Sequence, residues 1–347
     1  MNYFVYVDGV LAVKTNAKKF AWSYGTVAPL STMEKYDKCM IKINIDVRSS
    51  NKVFNNDIEI DKMGKYHYFY ANKDENKIYY ERNFFLKNKL RYSIELNGNE
   101  INVIVSKNYM KYIKHRIMGL HSISYILTDI TAGLLLKNGI ATIHCSAVNK
   151  GEKTIIIFAP PNTGKTLTSI QLCKEHKFKF IAEDFALTDG ENVWAVPWTS
   201  TFRYYDDINE SKVDRAVNKI TKLFPFIELI SVRKNKSIDN YLGRDSIKHF
   251  SKATDIVVLE RGVSSVERDK SEGLRKISNL NKYEFNYIKA PSIVVMNYYI
   301  KGFSPEEMYE TEKNILSKLI KNCNYVLVSE GNALNYADVI LNEVIEK

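Results

Sequence analysis

The chain is 347 residues long, 45% hydrophobic and 26% charged, with a formal net charge of +10. That balance excludes disorder as the main state, and the length suffices for two domains of roughly 100–200 residues. The positive charge favours anionic partners in general, among them nucleotide phosphates, an acidic peptide, nucleic acid or a membrane surface, but its spread along the chain singles out none of them.

Residues 1 to 108 alternate short β-type runs with turn residues, as in YFVYVDGVLAV, CMIKINIDV and RYSIELNGNEINVIVS. Asn97-Gly98 between two alternating runs predicts a hairpin. This stretch is expected to form a β-rich N-terminal module, with a second domain over 109–347. From about residue 109 the pattern predicts one long helical stretch ending near Gly139. Next come a strand through IATIHCSAVN, a turn, a strand through TIIIFA, a helix through LTSIQLCKEH and a strand through FKFIAEDFALTD. Further on, ATDIVVLERG and APSIVVMNYYI are short apolar runs that read as buried strands. The tail from Ser304 predicts helix, strand, helix, with Ser304-Pro305-Glu306-Glu307 opening the first. The densest basic patch, residues 231 to 252, reads as a solvated face.

The four cysteines, Cys39, Cys145, Cys173 and Cys323, are far apart. Their spacing predicts neither a disulfide framework nor a zinc site, and free thiols fit a reducing cytoplasm. The start lacks a basic leader followed by a sustained apolar run, which argues against secretion. The longest apolar stretch, YILTDITAGLLLKNGIATI, contains Asp129 and Lys137 and predicts no membrane span.

The chemistry concentrates at IIIFAPPNTGKTLTSIQL, residues 155 to 172. A loop ending in Gly-Lys-Thr between a strand and a helix is the context in which backbone amides wrap a phosphate. Here the first glycine of the usual G-x-x-x-x-G-K-[ST] pattern is Ala159. Pro160 and Pro161 have no N–H to donate, so the donors are expected to be Asn162, Thr163, Gly164, Lys165, Thr166 and Leu167. Lys165 would bridge the outer phosphates of ATP, and the Thr166 hydroxyl would bind Mg²⁺. Two acidic candidates follow at strand ends: Glu183-Asp184, and Glu260.

The segment IHCSAVNKGEKTIIIFAPPNTGKTLTSIQLCKEHKFKFIAEDFALTD resembles the catalytic core of the HPr kinase/phosphorylase-like kinases, relatives of the phosphoenolpyruvate carboxykinase fold. The resemblance covers roughly residues 140 to 200. It implies an α/β fold: a P-loop kinase core whose central mixed sheet is flanked by helices, here with the β-rich module added. It also implies that His144 matches the family histidine, Lys165 and Thr166 the phosphate and metal positions, and Glu183 and Asp184 the acidic pair. That pair is usually two aspartates, one taking the proton of the substrate hydroxyl and the other, here Asp184 or its neighbour, lying near Mg²⁺. Arg203 is the candidate basic residue directed at the phosphates, and Arg244 a candidate on a lid. The expected activity is transfer of the γ-phosphoryl group of ATP to a hydroxyl of a peptide or protein, with an ATPase using Glu260, or a silent nucleotide-binding module, as alternatives. No nucleic-acid motif is visible, and a homo-oligomer is compatible with the sequence.

Overall fold

A computed structural model describes residues 1–25, 28–53, 61–63, 67–72, 76–84, 88–113, 121–198, 238–243, 245–300 and 302–346. The N-terminal strands are β1 (Asn2–Val7), β2 (Leu11–Thr15), β3 (Leu30–Ser31), β4 (Ile41–Arg48), β5 (Asp61–Met63), β6 (His67–Asn72), β7 (Lys77–Phe84), β8 (Asn88–Asn97) and β9 (Glu100–Ser106). They form one mixed sheet in the order β3-β1-β2-β4-β9-β8-β7-β6-β5. Strand β4 shows why: Ile41, Ile43 and Ile45 turn inward while Lys42, Asn44 and Asp46 turn outward, the period-two pattern of a sheet with one buried face. The Asn-Gly hairpin forms where the sequence places it, pairing Asn97 with Glu100 around Gly98 at φ 58°.

The run from residue 109 is not one helix. Helix α1 (Met33–Asp37) lies earlier in the chain, and the run itself contains α2 (Lys107–Tyr112) and α3 (Ile123–Lys137). Ile113 leaves the helical region, and Ser122 starts α3 afresh as an N-cap whose hydroxyl accepts the Tyr125 N–H. A capping serine in the middle of a helical pattern is a start signal that outweighs the apolar period around it.

Beyond α3 the chain builds two further sheets. Strands β10 (Ala141–His144), β14 (Phe185–Thr188), β15 (Asn192–Trp194) and β16 (Phe250–Lys252) form an antiparallel four-stranded sheet. The other sheet has six strands in the order β13 (Lys179–Ala182), β11 (Ser146–Lys150), β12 (Lys153–Phe158), β17 (Asp255–Glu260), β19 (Asn324–Ser329) and β18 (Ser265–Glu267). In it β12, β17 and β19 run parallel. The remaining helices are α4 (Lys165–His176), α5 (Ile238–Leu242), α6 (Gly273–Glu284), α7 (Pro291–Tyr299), α8 (Pro305–Asn322) and α9 (Tyr336–Ile340). The architecture is mixed α/β.

Two expected strands divide. IATIHCSAVN breaks at Cys145 into β10 and β11, and FKFIAEDFALTD breaks at Glu183-Asp184 into β13 and β14, each pair contributing to both sheets. APSIVVMNYYI is helix α7 rather than a strand. Its Pro291 occupies the first turn, where the missing N–H costs nothing, and this outweighs the β-branched Ile293-Val294-Val295 run. Helix α8 starts as the sequence predicts, with the Ser304 hydroxyl accepting the Glu307 N–H.

Strand β12 is buried on both faces. Ile156 and Phe158 join an apolar cluster that continues through Ile130 and Ile143 to Trp22 and Tyr6, while Ile155 and Ile157 join a second cluster with Leu172, Val257, Val328 and Tyr336. Such double burial is what a continuous apolar run without alternation encodes.

Candidate active site

The parallel strand β12 delivers the chain to a tight loop, and helix α4 begins directly after it. Ala159, standing where the usual pattern has glycine, is buried in the cluster of Ile157 and Leu172. It has no positive φ, so the missing glycine introduces no backbone strain there. The left-handed positions are Asn162 at φ 61° and Gly164 at φ 128°. At Gly164 a Cβ would also come within 2.9 Å of the Ala333 Cβ, so glycine is required twice over, by φ and by space. The Thr163 N–H turns back onto Pro160 O at 3.3 Å, so Thr163 spends on the loop a donor that the sequence reading assigned to a ligand. The Arg261 guanidinium holds Asn162 O at 3.1 Å. As at any helix start, the amides of Gly164, Lys165, Thr166 and Leu167 have no intrahelical carbonyl to bond. They concentrate the positive end of the α4 dipole at the mouth of the loop.

Facing this loop, two stretches of chain pass from one sheet to the other side by side. Cys145 crosses between β10 and β11, and Glu183-Asp184 between β13 and β14. The crossings are tied together: Cys145 N–H donates to Asp184 O at 3.2 Å, and the Ser146 hydroxyl donates to Glu183 O at 2.9 Å. Glu183 is 1% exposed, and its Oε1 accepts the Thr166 hydroxyl at 2.7 Å. The acidic pair is thereby attached to the first turn of α4.

Between loop and acids lies a cavity of about 420 Å³ lined by His144, residues 159–166, Glu183 and Asp184. Lys165 is 9% exposed, and its Nζ makes no hydrogen bond among the described residues. Burial lowers its pKa, opposed by Cys145 and by the carboxylates of Asp184, Glu183 and Glu284. His144 is pushed down to about 3 by burial and by the charge of Lys165, which keeps its imidazole neutral. Its Nδ1 is buried without a hydrogen bond, 3.6 Å from Glu284 Oε1. Glu284 is raised by burial and by the neighbouring charge of Asp184, against a lowering effect of Lys165. The Cys145 thiol is held up at about 12, chiefly by burial, so it offers no thiolate.

The structure therefore gathers His144, Asn162, Thr163, Gly164, Lys165, Thr166, Glu183 and Asp184 around one space. Leu167 lies on α4 behind them and does not line the cavity. Arg203 and Arg244 fall outside the described residues. Glu260 ends β17, where it is ion-paired with Lys276 and is absent from the cavity lining. Trp194 packs against Phe250 in a tilted pair, with ring centroids 5.1 Å apart. Glu284 and Asn281 contact His144 and were missed by sequence reasoning; no local pattern marks them, since α6 reaches His144 across 137 residues of chain. Among the described residues no group of three or more His, Cys, Asp or Glu is arranged to hold a metal alone, and no helix is long and apolar enough to cross a membrane.

No family model matches the chain, and no curated protein matches it. Among solved structures, the Hpr(Ser) kinase/phosphatase from Coxiella burnetii is similar over 37% of this chain and 77% of that chain, at 11% identity and a TM-score of 0.22. A likeness of that size assigns neither fold nor activity.

Proposed function

We propose that the chain is an ATP-dependent kinase of the HPr kinase-like type, with a P-loop core, that transfers the γ-phosphoryl group to a hydroxyl, serine by preference, of a peptide or protein in the cytoplasm. One observation carries this reading: the Lys165 ammonium is buried without a hydrogen-bond partner among the described residues, beside the unbonded amides that open α4. A buried cation without a bonded anion is costly. A triphosphate chain supplies what is missing, and 420 Å³ falls within the usual range of ligand pockets.

In this reading Asn162, Gly164, Lys165 and Thr166 donate backbone N–H bonds to the phosphates, and the Lys165 ammonium neutralises the outer two. Thr166 and one carboxylate of the acidic pair would hold Mg²⁺, which when bound screens the phosphate charge. The donor set fits, because Mg²⁺ characteristically keeps waters and takes one or two protein oxygens plus phosphate oxygens instead of a full protein cage. Glu183, already hydrogen-bonded to Thr166, orients that hydroxyl. Asp184 accepts the proton of the attacking hydroxyl, and neutral His144 completes the pocket around it. Arg203 is the proposed cation for the charge that spreads over the moving phosphoryl group.

Incubation with γ-labelled ATP, Mg²⁺ and a peptide library tests the reading. Labelled phosphopeptide is the expected product; free phosphate alone would favour the ATPase alternative. Lys165→Ala is expected to abolish nucleotide binding. Asp184→Asn is expected to bind ATP yet lower transfer by about 10²–10⁴-fold, the usual contribution of a positioned base, and normal transfer by that variant would overturn the assignment of Asp184.

A further inference from the structure

Helix α6 carries two residues that meet His144 and its strand. Asn281 and Glu284 are three positions apart and therefore share a helix face. Asn281 is fully buried and grips β10 twice: its Oδ1 accepts the His144 N–H at 2.8 Å, and its Nδ2 donates to Thr142 O at 3.1 Å. It is braced from behind by Glu312, which also accepts the Tyr287 hydroxyl at 3.0 Å. These bonds set both the height and the rotation of α6 against the strand. One turn further on, that setting brings Glu284 Oε1 to 3.6 Å from the His144 Nδ1.

At 3.6 Å the pair is beyond hydrogen-bond length, but the gap is well under 1 Å too wide, and catalytic hydrogen bonds in unliganded sites are commonly long and shorten in the loaded complex. A neutral imidazole carries one proton, and its position follows whichever nitrogen faces an acceptor. Nδ1 is buried and faces the carboxylate. His144 lines the cavity and its side chain is 17% exposed; with Nδ1 buried, that exposure belongs to the rest of the side chain, on which Nε2 is the second polar atom.

We propose that Glu284 is a positioning residue that holds His144 in the Nδ1–H tautomer, so that Nε2 presents its lone pair to the cavity and accepts a hydrogen bond from the phosphoacceptor hydroxyl. This rests on the kinase reading for the identity of the hydroxyl, though not for the tautomer. His144 keeps its single proton throughout. Before transfer the O–H bond points at Nε2, which fixes where the oxygen stands; the same proton then turns from Nε2 to Asp184 as the new oxygen–phosphorus bond forms and the bond to the departing diphosphate breaks. The location of Glu284 argues for this role over a packing one. Its side chain is 35% exposed and lies near the charge of Asp184, a poor place for a carboxylate whose only task is to fill space.

The test is nitrogen NMR on the full chain with ¹⁵N-labelled histidine, the His144 signals being identified by their loss in His144→Gln. The expected pattern is a protonated Nδ1 and a bare Nε2 in the wild type. Glu284→Ala should move the proton to Nε2, and Glu284→Gln, whose amide oxygen still accepts, should retain the wild-type pattern. An Nε2–H tautomer in the wild type, or an unchanged pattern in Glu284→Ala, overturns the proposal. Calorimetric titration of the wild type with MgATP separates the two ideas: absence of binding removes the kinase reading and leaves the tautomer result standing on its own.

Discussion

At the scale of single residues, the site trades stability for readiness. Lys165 keeps a charge in a buried place where no described group bonds it. Lys165→Met is therefore expected to raise the stability of the protein without nucleotide by about 1–3 kcal/mol while removing MgATP binding, which urea denaturation and calorimetric titration measure together. A second buried charge lies outside the cavity. Burial lifts Glu312 from 4.5 to about 7 against the hydrogen bonds of Asn281 and Tyr287. Between those values the folded protein retains a proton that the unfolded chain has released, so this group makes stability decline as pH rises through that window. Glu312→Gln should flatten the decline, read from urea midpoints near pH 5 and pH 8. His144, whose folded value is depressed, acts in the opposite sense on acidification, and comparing variant with wild type cancels it. The residues of the 159–166 loop and the acidic pair could be singled out from sequence because their spacing is local. Glu284 and Asn281 could not, because only tertiary packing of α6 brings them to His144.

At the scale of elements, the start of α4 is the most constrained junction. Gly164→Ala must adopt φ 128° and meet Ala333 at 2.9 Å. The expected cost is about 1–3 kcal/mol. Adding Ala333→Gly should recover only the steric part, and a double-mutant cycle in thermal unfolding measures the remainder. Asn281→Ala leaves the His144 N–H and Thr142 O in a dry interior and should cost about 1–3 kcal/mol for each group left unsatisfied. The elements that the sequence misreads share a cause. IATIHCSAVN and FKFIAEDFALTD have the composition of single strands, and nothing local tells a strand that ends from one that changes sheets. The apolar run in α7 was too short for its period to be distinguished from a buried strand, so the proline at its head was the only contrary sign.

At the scale of the whole molecule, the N-terminal sheet and the rest of the chain share one apolar cluster. Trp22 Nε1 donates to Thr128 Oγ1 at 3.0 Å, and the Tyr24 and Thr142 hydroxyls are 2.8 Å apart. A fragment beginning at residue 109 would expose the partners of Trp22 and Tyr24, and it is expected to aggregate or to unfold well below the full chain. The full chain should lose tryptophan fluorescence and far-ultraviolet dichroism in one coincident transition. The two side-by-side crossings at Cys145 and at Glu183-Asp184 have a mechanical consequence. The loop that opens α4 hangs from β12, which belongs wholly to the six-stranded layer, whereas the acids ride on the shared seam. Because Glu183 Oε1 is bonded to the Thr166 hydroxyl, any shear of one sheet against the other loads that single bond first, so the contact between acids and loop acts as a gauge of inter-sheet strain.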